Sequence, residues 1–278
     1  MLRPDAGQLV VLMLRPILFH LGPFGVPTHD FFVGLGVTAA LSWFLWQLRG
    51  REPIDERIWG VIAGALAGGA LLSRLGTWAQ HLAPSANAGL AEQWLYGSRS
   101  ILSGLVGAYA GALIAKRVTK LKISTGDLFA APVALAMAIG RIGCLLTELP
   151  GTPTGGSWGV TLSVAEAASI PRAVAGVPLH PSFAYEIVFQ LAAFVVLLRS
   201  RDRFAQPGAL FAGYLLAYAA FRFLVEFVRG NEVVALGLTR PQWFLLACSP
   251  LAVWAAVRRV RRGGFALAPR VLQDGVSA

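Results

Sequence analysis

The chain has 278 residues, of which 56% are hydrophobic and only 14% are charged, and its mean hydropathy is +0.63. This composition excludes an ordinary soluble domain and predicts an all-α integral membrane protein. The net charge of +10 does not indicate nucleic-acid binding, because most lysines and arginines lie in short segments between apolar runs. In that position they act as topology signals and contact lipid headgroups.

A single membrane domain, residues 1–278, is the simplest organisation. We expect residues 1–29 to form an interfacial segment, because the GPFGVP stretch at 22–27 would end any helix before the first clear spanning run. Seven apolar runs are then long enough to cross a bilayer about 30 Å thick. They lie near residues 30–48, 58–75, 99–115, 127–148, 182–198, 207–228 and 241–257.

The distribution of positive charge predicts the orientation in the membrane. Fifteen of the 24 lysines and arginines fall after the first, third and fifth runs and in the basic tail at 258–278, against seven on the other side. Positive charge accumulates in cytoplasmic connections, so we predict the N-terminus outside and the C-terminus in the cytoplasm. The longest connection, 149–181, would then form a small extracytoplasmic head between the fourth and fifth helices.

A charged residue interrupts the fourth apolar run. Arg141 lies within the stretch AIGRIGCLLTELPG at 138–151, and Glu148 follows seven residues later on the same helical face. A charge within the bilayer costs a few kcal/mol and is a functional-site hypothesis by default. Asp127, near the start of the same helix, is read first as a favourable charge at a helix N-terminus.

A polar stripe marks the sixth run. Tyr218, Arg222, Glu226 and Arg229 follow one another at spacings of four, four and three residues, which places them on one helical face. One interpretation is an Arg222–Glu226 ion pair that holds helices together, and the other is an anion site with its own carboxylate counter-charge.

The two intramembrane arginines, Arg141 and Arg222, are predicted to lie at a similar depth in the outer half of the bilayer. A guanidinium group offers forked donors that match phosphate oxygens and loses its hydration more easily than an ammonium group. A phospholipid phosphate approached from the outer leaflet is therefore the expected ligand. Cys144 and Cys248 lie in apolar runs without metal-ligand spacing, and the sequence requires no metal and no cofactor.

Five segments resemble the prolipoprotein diacylglyceryl transferase family, and they follow one another along nearly the whole chain in the order that the family has. GRIGCLLTELPGTPTGGSWGV resembles the family signature GRIGNFINGELYGRPT and the tryptophan segment that follows it. The others are similar to the family opening and to its HPTQLYE, RFIVEFFR and LTMGQ motifs. In the same order, these four segments of the chain are RPILFHLGPFGV from Arg15, HPSFAYE from His180, RFLVEFVR from Arg222 and LTRPQ at 238–242.

The resemblance implies a multi-pass enzyme of the bacterial inner membrane whose active site faces the outer leaflet. It would transfer the diacylglyceryl group of phosphatidylglycerol to the lipobox cysteine thiol of a preprolipoprotein, forming a thioether and releasing glycerol phosphate. The expected catalytic residues are Arg141, Arg222, Glu148, Glu226 and His180. The expected substrate-binding residues are Arg141, Arg222, Tyr218, Arg229, Gly151, Tyr185, Gly104 and Ser100.

The sequence also departs from the family pattern. The family segment SFHGGLIG reads SILSGLVG here, so Leu102 replaces a histidine proposed to activate the thiol. Cys144 and Thr147 replace the signature asparagines, and Thr152 replaces an arginine. Phosphate binding should survive these changes, whereas thiol activation is in question. Two alternatives therefore stay open: a paralogue that uses phosphatidylglycerol with another acceptor, and a non-catalytic phospholipid-binding or phospholipid-translocating protein.

Overall fold

The computed structural model describes residues 15–49, 55–78, 89–96, 100–122, 125–170, 173–201, 203–204 and 206–267. The first 14 residues of the predicted interfacial segment and the end of the predicted basic tail lie outside these ranges. Within them the chain is mostly helical, with two short hairpins. The elements are β1 (Ile17–Leu21), β2 (Phe24–Pro27), α1 (Thr28–Leu48), α2 (Arg57–Trp78), α3 (Leu90–Tyr96), α4 (Ile101–Thr119), α5 (Gly126–Thr147), α6 (Val164–Ser169), α7 (Ser182–Arg199), α8 (Ala209–Val225), β3 (Val233–Ala235), β4 (Leu238–Thr239) and α9 (Arg240–Arg261).

Seven of the described helices are long and apolar enough to cross a membrane, namely α1, α2, α4, α5, α7, α9 and α8 with the 3₁₀ turn Glu226–Val228 that extends it. The seven predicted spans are therefore confirmed, and the chain is a multi-pass membrane protein. The orientation of the termini and the side of the membrane on which residues 149–181 lie stay predictions.

The chain divides into two compact units. Residues 1–47 and 124–278 form one unit, and residues 48–123 form the other.

In the larger unit α5 packs along α7 and also contacts α8, while α1 stacks Phe44 on Phe129 of α5 with ring centroids 4.9 Å apart. Asp127, at the same end of α5, joins this helix to α8. Its two carboxylate oxygens accept hydrogen bonds from the backbone N–H groups of Gly208 (2.6 Å) and Phe211 (2.9 Å). Asp127 thus stabilises N–H groups at the start of α8 that have no partner within the helix, in the manner of a helix cap.

In the smaller unit α2 and α4 pack closely because small residues face one another. A Cβ atom added at Gly68 would lie 2.2 Å from the carbonyl oxygen of Gly107, and one added at Gly111 would lie 2.0 Å from that of Gly64. Glycines at this spacing let spanning helices approach each other closely, and these four residues have that role here.

Isolated β-bridges between backbone segments hold the connection between α5 and α7 together. Pro153 and Val160 each form an antiparallel bridge with Leu179, and α6 begins with a capping box formed by Ser163 and Glu166. Gly151 lies where this connection crosses the end of α8. A Cβ atom there would lie 2.4 Å from the carbonyl oxygen of Val228 and 2.5 Å from that of His180, so only glycine fits without a backbone shift.

Candidate active site

The centre of the candidate site is Glu186, in the first turns of α7, whose side chain is 0% exposed. Its Oε1 forms an ion pair with Arg141 Nη2 of α5 (2.5 Å) and accepts a hydrogen bond from the hydroxyl of Tyr218 in α8 (2.8 Å). Its Oε2 accepts from Arg229 Nη1 (2.9 Å). One carboxylate therefore joins α5, α7 and α8 through three donors, two of them charged.

A second buried carboxylate, Glu226, lies one helical turn after Arg222 and forms an ion pair with it, as predicted. Its other oxygen accepts hydrogen bonds from the amide of Asn231 and from the hydroxyl of Thr239 (2.9 Å). Thr239 also begins α9 through a capping box, so the Glu226 network fixes the β3–β4 hairpin and the start of α9 against the end of α8.

The polar stripe predicted on α8 faces this site. Tyr218, Arg222, Glu226 and Arg229 are all buried, although the last turn tightens into a 3₁₀ helix from Glu226. The site also contains a cation–π contact, since the guanidinium group of Arg229 lies 4.3 Å from the centre of the Phe183 ring.

The buried site carries one surplus positive charge. Three guanidinium groups, those of Arg141, Arg222 and Arg229, face two buried carboxylates, those of Glu186 and Glu226. Burial together with the guanidinium groups of Arg141 and Arg222 lowers the pKa of Arg229. The Nε atom of Arg141 is buried and has no hydrogen-bond partner among the described residues. A charged donor left in that state costs free energy that an anionic ligand would recover.

Glu148 lies at the edge of this charge cluster rather than inside it. Its side chain is 46% exposed, and its Oε2 lies 3.8 Å from Arg229 Nη2. Glu148 therefore combines solvent access with proximity to the buried arginines, which suits a group that exchanges protons with substrate or water.

His180 forms a separate aromatic group with its neighbours. Its Nδ1 lies 3.2 Å from the hydroxyl of Tyr185, and its ring meets that of Trp158 edge to face at 5.1 Å. These contacts fix the imidazole at the start of α7, immediately before the helix that carries Glu186.

Ser100 and Gly104 belong to the smaller unit. Ser100 caps α4 by accepting a hydrogen bond from Ser103 N, and a Cβ atom added at Gly104 would lie 3.3 Å from the Ser73 side chain. Both positions are explained by helix capping and packing, and their assignment to substrate binding stays a prediction, as do the assigned roles of the other site residues.

The fold also brings together three side chains that the sequence did not connect. One potential ligand atom each of His29, Cys144 and Glu148 lies within 4.8 Å of the other two. These three residues offer one nitrogen, one sulfur and one oxygen donor. Within the part of the chain that the structure describes, they are the group that could hold a metal ion.

Glu186 is the main residue that the sequence-based assignment missed, since neither the catalytic nor the substrate-binding set contains it. It stands in the matched HPSFAYE motif, six residues after His180, so the motif was a usable signal. Asn231 and Thr239 were missed because each contacts Glu226 from a loop or hairpin that has no helical periodicity.

The seven spans define a multi-pass membrane protein, and its larger unit contains a buried arginine–carboxylate cluster. Residues 16–258 match the family model described as prolipoprotein diacylglyceryl transferase, and the chain belongs to that family, which makes it a transferase.

Relatives with the name phosphatidylglycerol–prolipoprotein diacylglyceryl transferase are similar over most of the chain. The protein from Dehalococcoides mccartyi is 30% identical over 253 residues, covering 89% of this chain and 94% of the relative. The one from Cupriavidus metallidurans is 29% identical over 285 residues, covering 94% and 99%. The one from Nocardia farcinica is 30% identical over 274 residues, covering 93% of this chain and 55% of the relative.

Proposed function

We propose that the protein transfers the diacylglyceryl group of phosphatidylglycerol to the lipobox cysteine thiol of preprolipoproteins, forming a thioether and releasing glycerol phosphate. The observation that carries this proposal is the surplus positive charge of the buried cluster. A phosphodiester carries one negative charge, which matches that surplus. The relatives' names supply phosphatidylglycerol and prolipoprotein as the two substrates.

In this proposal the arginine cluster binds the phosphate and stabilises the charge that develops on the departing glycerol phosphate. Arg141 contributes its unpartnered Nε, while Arg222 and Arg229 are held in place by Glu226 and Glu186. Fixed donors of this kind, aimed at developing charge in a water-poor site, supply much of the rate enhancement in group transfer.

Phosphatidylglycerol would enter from the outer leaflet of the bacterial inner membrane. The distribution of lysines and arginines predicts that the C-terminal ends of α5 and α8 lie on that side. Residues 149–181 would then cover the site on the extracytoplasmic side. The acceptor cysteine would attack the glyceryl carbon beside the phosphate. Glu148 and His180 are the candidate bases, and Glu148 is the better placed of the two because it contacts Arg229 and solvent.

A second candidate function is transfer to an acceptor other than a lipobox peptide. It is favoured by two departures from the family pattern, Leu102 in place of the histidine proposed to activate the thiol and Cys144 in place of a signature asparagine. The arginine cluster would serve either acceptor.

Incubating the purified protein with labelled phosphatidylglycerol and a lipobox peptide separates these functions. The proposal expects a labelled thioether peptide and glycerol phosphate in equal amounts. Release of glycerol phosphate without a labelled peptide would support another acceptor, and binding without release would support a non-catalytic lipid-binding protein. A lipobox peptide with serine in place of cysteine is the matched control, and it should give no thioether product.

A further inference from the structure

The side chains of His29, Cys144 and Glu148, referred to below as the His–Cys–Glu cluster, lie beside the arginine cluster. We propose that they bind a zinc ion, and that the fourth position of this ion takes the thiol of the acceptor. The second half of this inference rests on the proposed function, whereas the metal site itself does not.

The backbone holds the three residues in place. Cys144 and Glu148 lie one helical turn apart at the end of α5, where Glu148 N donates to the carbonyl oxygen of Cys144 (2.9 Å). Gly143 brings α1 close, since a Cβ atom there would lie 3.0 Å from the Cα atom of His29. The N-terminal hairpin is also tied to this end of α5, because Arg15 N donates to the carbonyl oxygen of Leu146 (2.8 Å).

The spacing of the donors suits zinc after a small adjustment. For three atoms within 4.8 Å of one another, some point lies within about 2.8 Å of all three, whereas zinc bonds are about 2.0–2.3 Å long. Rotation of two partly exposed side chains can close that difference, since Glu148 is 46% and His29 35% exposed. Histidines that bind metals usually also contact a carboxylate, and Asp30 Oδ1 lies 3.5 Å from His29 Nδ1.

The chemistry of the three donors favours zinc over a hard cation. A thiolate, an imidazole and a carboxylate form the mixed set of ligands that zinc accepts, and three protein ligands leave one tetrahedral position open. Calcium and magnesium would require a site made of oxygen ligands.

The charged groups around the His–Cys–Glu cluster allow a zinc ion to bind. Arg141 Nη1 lies 3.6 Å from Cys144 Sγ, and Arg229 lies 3.8 Å from Glu148, so a bare cation would be repelled. A zinc ion with one thiolate and one carboxylate ligand is neutral in sum, however. The surplus positive charge of the arginine cluster therefore stays available for the phosphate.

The open position gives the acceptor thiol a route to activation. A thiol that coordinates zinc loses its proton and stays bound as a thiolate. With zinc bound, Glu148 is a ligand and no longer the base, so the proton passes to solvent. The thiolate sulfur then forms a bond to the glyceryl carbon while the bond from that carbon to the phosphate oxygen breaks. The electron pair leaves on glycerol phosphate, which the arginines stabilise, and zinc remains Zn²⁺ throughout.

The metal site is tested first by direct binding to the purified chain, with zinc content and cobalt substitution as readouts. The wild-type protein should take up one zinc per chain, and its cobalt form should show the absorption of a cobalt–thiolate bond. Cys144→Ser should lose that absorption and bind zinc at least tenfold more weakly, whereas Cys248→Ser, which changes the other cysteine, should match the wild type. A wild-type protein without zinc uptake, or Cys144→Ser with the wild-type absorption, would overturn the proposal.

A second variant protects the test against misfolding. Glu148→Gln alters a half-exposed side chain, so it should fold normally, keep the cobalt–thiolate absorption and bind zinc at least tenfold more weakly. Unchanged zinc affinity in this variant would rule out Glu148 as a ligand and overturn the three-ligand site.

The acceptor step is tested by adding the lipobox peptide to the cobalt form. The absorption of the cobalt–thiolate bond should increase with the cysteine peptide and stay constant with the serine peptide; no change with the cysteine peptide would overturn this step. If zinc binds but no thioether forms, the proposed function fails while the metal site stands. If the zinc-free protein forms thioether at the full rate, the activation step fails while the proposed function stands.

Discussion

Replacing Glu186 with glutamine is the sharpest test of how the buried cluster is held together. The side chain is 0% exposed, forms an ion pair with Arg141 and accepts hydrogen bonds from Tyr218 and Arg229. Glutamine keeps the shape and one acceptor, but it leaves two buried guanidinium groups without their shared counter-charge. Breaking a buried ion pair by removing one partner costs about 3–5 kcal/mol.

The assay is thermal unfolding in detergent, followed by the fluorescence of the eight tryptophans. At about 2 °C per kcal/mol for a chain of this size, Glu186→Gln should lower the unfolding midpoint by roughly 6–10 °C. Glu56→Gln, at an exposed position, is the matched control and should leave the midpoint unchanged. The double variant Glu186→Gln with Arg229→Gln should recover part of the loss, because it removes one uncompensated charge. A midpoint within 1–2 °C of the wild type for Glu186→Gln, about 1 kcal/mol or less, would refute the reasoning.

Three further substitutions test contacts within each unit by the same unfolding measurement. Asp127→Ala removes the acceptor of two N–H groups at the start of α8 and should cost about 0.5–2 kcal/mol; an unchanged midpoint would contradict its capping role. Gly151→Ala should lower both the midpoint and the transfer rate, whereas Gly140→Ala, which has no neighbour within 4 Å of the added Cβ, should do neither. Gly107→Ala places its Cβ 2.2 Å from the carbonyl oxygen of Gly68, so it should destabilise the packing of α2 on α4 by about 1–3 kcal/mol; a wild-type midpoint would contradict that close approach.

The sequence predicted the spans well because hydrophobic length is a direct consequence of bilayer thickness. The predicted run at 127–148 became α5 at Gly126–Thr147, and the run at 182–198 became α7 at Ser182–Arg199. The helical spacing of Arg222 and Glu226 predicted their contact for a similar reason, since residues four apart on a helix are neighbours.

Contacts between distant segments were harder to predict. Nothing in the local pattern around Glu186 says that it meets Arg141 of α5 and Arg229 beyond α8, since that depends on how the three helices pack. The same holds for His29, which reaches Cys144 only because the N-terminal hairpin and Gly143 bring α1 against α5. The individual arginines and the Arg222–Glu226 pair were therefore predictable, whereas Glu186 as the shared counter-charge of Arg141 and Arg229 was not.

The most direct test of the central claim is the rate of diacylglyceryl transfer from phosphatidylglycerol to a lipobox peptide by Arg141→Lys. Lysine keeps the positive charge but loses the forked donors, including the buried Nε. Loss of one hydrogen bond to a charged group, about 1.5–3 kcal/mol, corresponds to at least a tenfold slower transfer. If Arg141 binds the phosphate, the folded variant will show that loss, and transfer at the wild-type rate would contradict the account.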